Sequence, residues 1–294
     1  MTCTVGKDPL THDFITIQSA VDYAAEMNLS CTMYVSADTY RENVKVYHDH
    51  LTIICETDTV LQSDLAANQL LDGMPRGTFQ TATLFINGSD IVIEGLTIEN
   101  TAGPGNQVGQ AVAVYLEGTD IYFVDCRLTA YQDTLCLGPL PQYTKEGTPM
   151  ISPWCQKIYL QQRRYFKACE ISGTVDFIFG GGDAHFDSCH LHCKNTEQNN
   201  YITAAATSPE AKGFIFEHCR VTGEKNYSLG RPWRVPAKVC FFDCHFDDAL
   251  DVAGWSDWGK TRQREQVCFA EHVCTYTKQQ QRASWIDMKG MKVQ

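Results

Sequence analysis

The chain has 294 residues, of which 44% are hydrophobic and 20% are charged, and its formal net charge is −11. This composition is typical of a folded globular protein, and the acidic balance argues against a basic face that would bind nucleic acid. No apolar run approaches the ~18 residues that a membrane-spanning helix needs. Residues 1–14 show no basic start followed by an apolar stretch, so we expect no signal peptide and a cytoplasmic location.

The first predicted element is a helix over residues 14–27. Ile17, Val21 and Ala24 recur there at helical spacing and form one apolar face. The rest of the sequence consists mainly of short runs rich in β-branched and aromatic residues, separated by Gly, Asn and Asp. We therefore interpret the helix as a cap on the end of a β-rich fold.

A short motif repeats along the β-rich part of the chain. It reads aromatic residue, two variable residues, Cys, one polar residue and one apolar residue, and its cysteines are Cys126, Cys169, Cys189, Cys219 and Cys244. Repeats of about 20–45 residues indicate a solenoid, in which equivalent positions stack on one another. We therefore predict a single all-β domain over residues 1–294, a parallel β-helix whose interior ladder accounts for the fourteen cysteines without disulfides. Residues 259–294, richer in Lys, Arg and Gln, are interpreted as a tail packed on the coil.

The segment from Cys189 to Cys193 contains two histidines and superficially resembles a zinc-binding cluster. A structural zinc site needs a second pair of ligands at a suitable spacing, and none follows. We therefore predict no metal and no cofactor.

An apolar stretch, residues 173–180, contains a single carboxylate, Asp176. Burying an unpaired carboxylate costs several kcal/mol, so this residue needs a partner. Asp133 precedes it by 43 residues, the same interval that separates Cys126 from Cys169. The repeat therefore predicts that the two carboxylates occupy equivalent positions on neighbouring coils, ~4.8 Å apart. Their pKa values should then separate, giving one acid and one base or nucleophile, and Arg231 is the cation expected to keep Asp176 charged.

Four islands resemble the pectin methylesterases, the family-8 carbohydrate esterases. They are "GQAVAV" at 109–114, "YQDTL" at 131–135, "GTVDFIFG" at 173–180 and "LGRPW" at 229–233. Weaker matches such as "TYRENV" at 39–44 and "GWSDWG" at 254–259 extend the resemblance over roughly residues 12–275. The resemblance implies a right-handed parallel β-helix and hydrolysis of methyl esters in pectin or in methylated oligogalacturonides.

The resemblance also implies roles for individual residues. Asp176 is expected to attack the ester carbonyl, Asp133 to act as general acid and base, and Arg231 to hold Asp176 ionised. The side chains of Gln110 and Gln132 are expected to stabilise the oxyanion. The residues expected to line the substrate groove are Thr78, Tyr131, Trp233, Trp255 and Trp258.

The sequence departs from the family pattern at two places near these residues. Residues 139–157 form an insertion that contains four prolines, and we expect it to form a wall of the groove. Residues 180–184 read "GGGDA", where the family usually has Gly-Asn after "DFIFG". Together with the acidic charge and the expected location, these features lead us to predict a bacterial, monomeric enzyme that acts on short imported oligomers.

Two other functional classes remain open at this stage. A pectate lyase or glycosidase has the same kind of fold, but the acidic residues here form no calcium-binding cluster, and a glycosidase does not need paired glutamines. A catalytically inactive carbohydrate-binding β-helix is the non-enzymatic alternative.

Overall fold

A computed structural model describes residues 1–197, 199–289 and 292–293 of the chain. Three sheets of parallel strands run along it, here called sheets A, B and C. Sheet A contains β1 Thr2–Val5, β2 Cys31–Val35, β5 Leu51–Cys55, β10 Ser89–Glu94, β13 Thr119–Val124, β16 Arg163–Lys167, β19 Asp183–Asp187, β22 Phe214–Glu217, β25 Ala237–Phe242, β27 Val267–His272 and β29 Asp287–Lys289.

The other two sheets are shorter. Sheet B contains β3 Thr39–Arg41, β6 Val60–Ser63, β11 Thr97–Asn100, β14 Arg127–Thr129, β17 Glu170–Gly173, β20 His190–Cys193, β23 Arg220–Gly223, β26 His245–Phe246, β28 Thr275–Tyr276 and β30 Lys292–Val293. Sheet C contains β4 Val44–Val46, β9 Leu84–Ile86, β12 Val114–Leu116, β15 Leu135–Leu137, β18 Ile178–Gly180, β21 Asn200–Ala205 and β24 Tyr227–Pro232. A small antiparallel hairpin, β7 Leu70–Leu71 and β8 Met74–Pro75, lies outside these sheets.

The repeated motif forms two ladders in the interior. Five phenylalanine rings stack on consecutive coils of sheet A with centroid separations of 4.5–5.1 Å, namely Phe123, Phe166, Phe186, Phe216 and Phe241. The motif cysteines lie at the turn from sheet A to sheet B, and each is no more than 2% exposed. All fourteen cysteines are free thiols. Burying each aromatic ring contributes roughly 1.5–3 kcal/mol, so the repeat supplies a large part of the core energy.

The predicted cap is present as helix α1, Ile17–Met27. Thr16 caps its first turn, because the Thr16 hydroxyl accepts a hydrogen bond from the Ser19 backbone N–H. Ile17, Val21 and Ala24 are buried as the spacing indicated. The helix therefore covers the first coil with its apolar face. The only other α-helix among the described residues is the single turn α2, Gly105–Val108, and 3₁₀ turns span Thr78–Gln80 and Thr261–Gln266.

The prediction of a C-terminal tail was wrong for most of residues 259–294. Strands β27 and β28 continue sheets A and B, followed by β29 and β30. The coil was missed because Glu271 stands where the earlier repeats have Phe, and it pairs in register with Phe241. Cys274 follows as a sixth buried cysteine of the ladder.

Glu271 is tolerated in the interior because its carboxylate is fully paired. It accepts hydrogen bonds from the Arg282 guanidinium at 2.7 and 2.9 Å, from the Trp255 indole at 2.8 Å and from the Tyr276 hydroxyl at 2.7 Å. This network ends the phenylalanine stack. No helix in the described part of the chain has the length and apolar character to cross a bilayer.

Candidate active site

The two carboxylates predicted to be equivalent lie on neighbouring coils. Strands β15 and β18 pair Leu135 with Ile178, so Asp133 and Asp176 each lie two residues before the same rung of sheet C. Both adopt left-handed backbone conformations, with φ of 67° and 52°, which Asp tolerates better than most residues. The register inferred from the 43-residue interval is therefore confirmed.

Asp176 is held by Arg231 across two coils. Phe179 of β18 pairs with Ala204 of β21, which pairs with Arg231 of β24. The guanidinium donates from Nε to Oδ1 and from Nη2 to Oδ2 of Asp176, each at 2.8 Å. The two side chains are 17% and 11% exposed, so this bidentate ion pair is largely shielded from water.

The environments of the two carboxyl groups separate their pKa values. Burial raises the pKa of Asp176, and the hydrogen bonds and charge of Arg231 oppose that increase. Burial raises the pKa of Asp133 well above its usual value, and the charge of Asp176 raises it further, while Arg231 and Gln132 oppose the increase. Asp133 is therefore the more readily protonated member of the pair. A neutral acid next to a charged carboxylate is the arrangement that acid–base and nucleophilic chemistry requires.

Arg231 is fixed by two aromatic rings. Its guanidinium carbon lies 4.1 Å from the ring centroid of Tyr201 and 3.7 Å from that of Trp258. Trp258 was a predicted groove residue and is 40% exposed. Tyr201 and Lys260 were both missed in the sequence analysis. The Nζ of Lys260 lies 4.6 Å from the ring centroid of Trp258. Neither belongs to the cysteine repeat or to the four sequence islands, so no motif distinguishes them from other residues of the same type.

The two glutamines lie on adjacent coils. The backbone N–H of Ala111, next to Gln110, donates to the carbonyl of Gln132 at 3.2 Å. The Gln132 carboxamide packs against Gly105, where an added Cβ would come within 2.4 Å of Oε1. The side chain of Gln132 also lowers the pKa of the adjacent Asp133, against the larger effect of burial. The oxyanion roles of both glutamines stay predictions.

The remaining predicted groove residues divide into two groups. Trp233 is half-buried and packs edge-on against Phe179 at 5.7 Å. Tyr131 is also half-buried, with the Lys194 ammonium 4.9 Å from its ring centroid. Thr78 is half-buried in the 3₁₀ turn next to Phe79. Binding by these three stays a prediction.

The prediction for Trp255 was wrong. Trp255 is 7% exposed, stacks on Phe269 at 4.4 Å and donates its indole N–H to Glu271. The side chain of Trp255 points into the interior, whereas that of Trp258 is at the surface. The spacing of "GWSDWG" alone does not show which of the two tryptophans is buried.

The insertion over residues 139–157 covers the outer face of sheet C on the coils before Asp133. The ring of Trp154 packs against Phe85 at 5.5 Å, and Phe79 covers Tyr115 at 5.9 Å. Both covered residues are fully buried. Asn87 anchors the end of the insertion, because its Oδ1 accepts hydrogen bonds from the backbone N–H groups of residues 156 and 157 at 2.8 and 2.7 Å. The insertion therefore packs on the outer face of sheet C, and its role as a wall of the groove stays a prediction.

The glycines after Phe179 are required by close backbone contacts. Gly180 has φ of 130°, and a Cβ there would lie 1.9 Å from the Leu137 carbonyl oxygen.

The apparent zinc motif is divided between the interior and the surface. Cys189 and Cys193 are buried, whereas His190 and His192 both hydrogen bond to the Thr222 hydroxyl at 2.8 Å.

Comparison with known proteins identifies the family. The pectinesterase family model matches residues 2–153 and 150–294. The chain belongs to the pectinesterase family. Pectinesterase 31 of Arabidopsis thaliana is 30% identical over 279 residues, which cover 89% of this chain and 79% of that protein. The chain spans about half the length of several other curated relatives.

Solved structures agree with this assignment. Pectin methylesterase from carrot superposes with a TM-score of 0.79 at 25% identity, covering 99% of this chain and 88% of that one. Pectin methylesterase PemA from Erwinia chrysanthemi gives a TM-score of 0.75 at 25% identity, covering 96% and 92%. The predicted family, the right-handed parallel β-helix and the assignment as a carboxylic ester hydrolase acting on pectin methyl esters are confirmed.

Proposed function

We propose that this pectinesterase hydrolyses galacturonate methyl esters through an acyl-enzyme formed on Asp176. The observation that carries the proposal is the asymmetric carboxylate pair, in which Arg231 binds Asp176 at two 2.8 Å contacts while burial and the Asp176 charge raise the pKa of Asp133 well above its usual value. An ionised Asp176 attacks the ester carbonyl, and the negative oxygen of the tetrahedral intermediate accepts hydrogen bonds from Gln110 and Gln132. Such a donor is typically worth about 3 kcal/mol.

Collapse of this intermediate transfers the Asp133 proton to the departing methoxide, which leaves as methanol. The acyl group is then joined to Asp176 as an anhydride. Asp133, now a carboxylate, takes a proton from a water molecule that attacks the acyl carbon. The second intermediate collapses to ionised Asp176 and a galacturonic acid, which loses its carboxyl proton to solvent, and Asp133 remains protonated. Arg231 keeps Asp176 oriented throughout.

Methanol release from methylated oligomers and from pectin tests this mechanism, with Asp176→Asn as the variant. Asn keeps the shape of the side chain and tolerates the left-handed backbone, so loss of activity reports the missing charge. Asp125→Asn is the matched control, because Asp125 has nearly the same φ of 51° but is exposed at the turn between β13 and β14. Wild-type activity in Asp176→Asn would refute the nucleophile assignment.

The same assay separates the rival classes. A lyase or glycosidase would cleave unesterified polygalacturonate, whereas an esterase leaves that polymer intact. An inactive carbohydrate-binding protein would bind methylated oligomers and release no methanol.

We also propose that the preferred substrates are short oligomers. The support is the insertion over residues 139–157, which packs on the outer face of sheet C through the contact of Trp154 with Phe85 on the coils before Asp133. We expect it to restrict the space for sugar units on that side. Rates on dimers to hexamers compared with polymeric pectin test the proposal, and a strong preference for polymer would contradict it.

The cytoplasmic location, the bacterial source and the monomeric state stay predictions. Fourteen free thiols are compatible with a reducing compartment.

A further inference from the structure

An open pocket of about 410 Å³ lies on the outer face of sheet A, at the last coils of the chain. That volume falls within the range of about 300–1,000 Å³ that is typical of small-molecule sites. One row of outward side chains changes from large to small there, in the order Tyr122, Tyr165, His185, Ile215, Cys240 and Ala270. The pocket exists because Cys240 and Ala270 leave unfilled the space that larger side chains occupy on earlier coils. Its lining also includes Lys212, Lys238, Cys268 and Asp287.

The two thiols in this pocket differ in accessibility. Cys268 is exposed, whereas Cys240 is partly buried, and burial raises the pKa of Cys240 to about 11. A thiol reacts as the thiolate, so Cys240 is a poor nucleophile near neutral pH and Cys268 is the accessible thiol. Cys268 pairs in register with Lys238, and Cys240 pairs with Ala270. The two cysteines are therefore diagonal neighbours with Cα atoms roughly 8 Å apart, which is too far for a disulfide between them without movement of the backbone.

Two lysines give the pocket a positive edge. The Lys238 ammonium donates hydrogen bonds to two backbone carbonyl oxygens at 2.9 and 2.8 Å, which hold it in place without cancelling its charge. The Lys212 side chain is exposed. Within residues 1–197 and 199–289, neither ammonium has a carboxylate oxygen within 4.0 Å. The acidic lining residue, Asp287, pairs instead with His272 and Lys289, each at 3.1 Å. Local positive charge raises the concentration of small anions at this edge, although the chain as a whole carries a net charge of −11.

We propose that Cys268 is a modification site, at which the thiol forms a mixed disulfide with an anionic low-molecular-weight disulfide bound in this pocket. An accessible thiol in electropositive surroundings is the arrangement that favours such chemistry. Lys212 and Lys238 attract the carboxylates of the incoming molecule. This inference does not rest on the proposed function, because the pocket lies on sheet A and the candidate active site on sheet C.

The reaction is a thiol–disulfide exchange. The Cys268 thiol loses its proton to solvent, and the thiolate attacks one sulfur of the incoming disulfide. A new S–S bond forms to Cys268, the original S–S bond breaks, and the second half of the reagent leaves as a thiolate. The incoming disulfide is thus the oxidant, and no other reagent is needed. Because Cys240 is too distant to displace the adduct, the adduct persists until an external thiol removes it.

The test follows adduct formation on the reduced full chain by intact mass and peptide mapping. The probes are oxidised glutathione, which is anionic, hydroxyethyl disulfide, which is neutral, and cystamine, which is cationic. We expect Cys268 to react first, and roughly tenfold faster with oxidised glutathione than with the neutral probe at low ionic strength. Salt at 1 M should remove most of this difference, because the screening length falls to about 3 Å.

Variants identify the groups responsible. Cys268→Ser should abolish the first adduct, and Lys212→Gln and Lys238→Gln should each bring the rates with the anionic and neutral probes closer together. Lys167→Gln is the matched control, because it removes the same charge from an exposed position of sheet A on an earlier coil and should keep the wild-type preference.

Equal rates of Cys268 modification by the three probes would overturn the proposal. A first adduct on Cys240 or on Cys155 would also overturn it, and so would an anion preference that is unchanged in both lysine variants. Methanol release is not part of this assay, so failure of the proposed function would leave its outcome intact.

Discussion

Replacing Arg231 with Gln should shift the pH profile of the enzyme as well as lower its activity. The nucleophile must be ionised, burial raises the pKa of Asp176, and Arg231 is the main group that opposes this increase. An adjacent opposite charge lowers a carboxyl pKa by about 1–3 units. Two 2.8 Å bonds between side chains that are 17% and 11% exposed make this a shielded pair, and a hydrogen bond to a charged group contributes about 1.5–3 kcal/mol. We therefore expect the acidic limb to move to higher pH and kcat/KM at low pH to fall by roughly tenfold or more.

The measurement is kcat/KM for methanol release between pH 4 and 9 in the wild type, Arg231→Gln and Arg231→Lys. Lys keeps the charge but loses the bidentate geometry, so its acidic limb should lie between the other two. Arg163→Gln is the matched control, because it removes a similar bidentate pair with Asp120 on sheet A and should leave the profile in place. If Arg231→Gln lowers kcat/KM equally at all pH values, Arg231 does not control the ionisation of Asp176.

Three further predictions concern the rest of the site and the core. Asp133→Asn should lower kcat about 10²–10⁴-fold. The raised pKa of Asp133 makes the wild type less stable as pH rises, and Asn, which is always neutral, avoids this loss. The Tm of the Asn variant should therefore exceed that of the wild type at pH 8 and approach it at pH 4. Glu271→Gln should cost about 3–5 kcal/mol in urea unfolding, because Arg282 is left buried without its charge partner, whereas replacing both residues should cost less. Trp154→Ala should cost about 2 kcal/mol and raise the rate on polymeric pectin relative to a trimer. An unchanged ratio would contradict the proposed preference for short oligomers.

The sequence was sufficient to predict the fold because a β-helix repeats its information. Each coil places Phe and Cys at equivalent interior positions, so five similar motifs reveal both the stacking and its register. The same register gave the neighbouring positions of Asp133 and Asp176, which the pairing of Leu135 with Ile178 confirms. Prediction failed at the coil where Glu271 replaces the repeated Phe, because a buried carboxylate is stabilised by partners that are distant in sequence.

The parts of the site outside the repeat were not predictable in the same way. Tyr201 and Lys260 contribute through contacts with Arg231 and Trp258 that form only when the coils stack. Trp255 and Trp258 are three residues apart in one motif, yet one is in the core and the other is at the surface. Spacing within a turn does not determine which side chain enters the interior, because the direction depends on the preceding strand and on the packing space available.

The negative charge of the protein favours release of its negatively charged product. In the proposed mechanism, hydrolysis converts a neutral ester into a carboxylate beside Asp176, which is ionised again once the acyl-enzyme has reacted. Repulsion between these two charges in a shielded site favours departure of the product, and the net charge of −11 acts in the same direction at longer range. Arg231 cannot hold the product strongly, because both of its bonds to Asp176 are already formed.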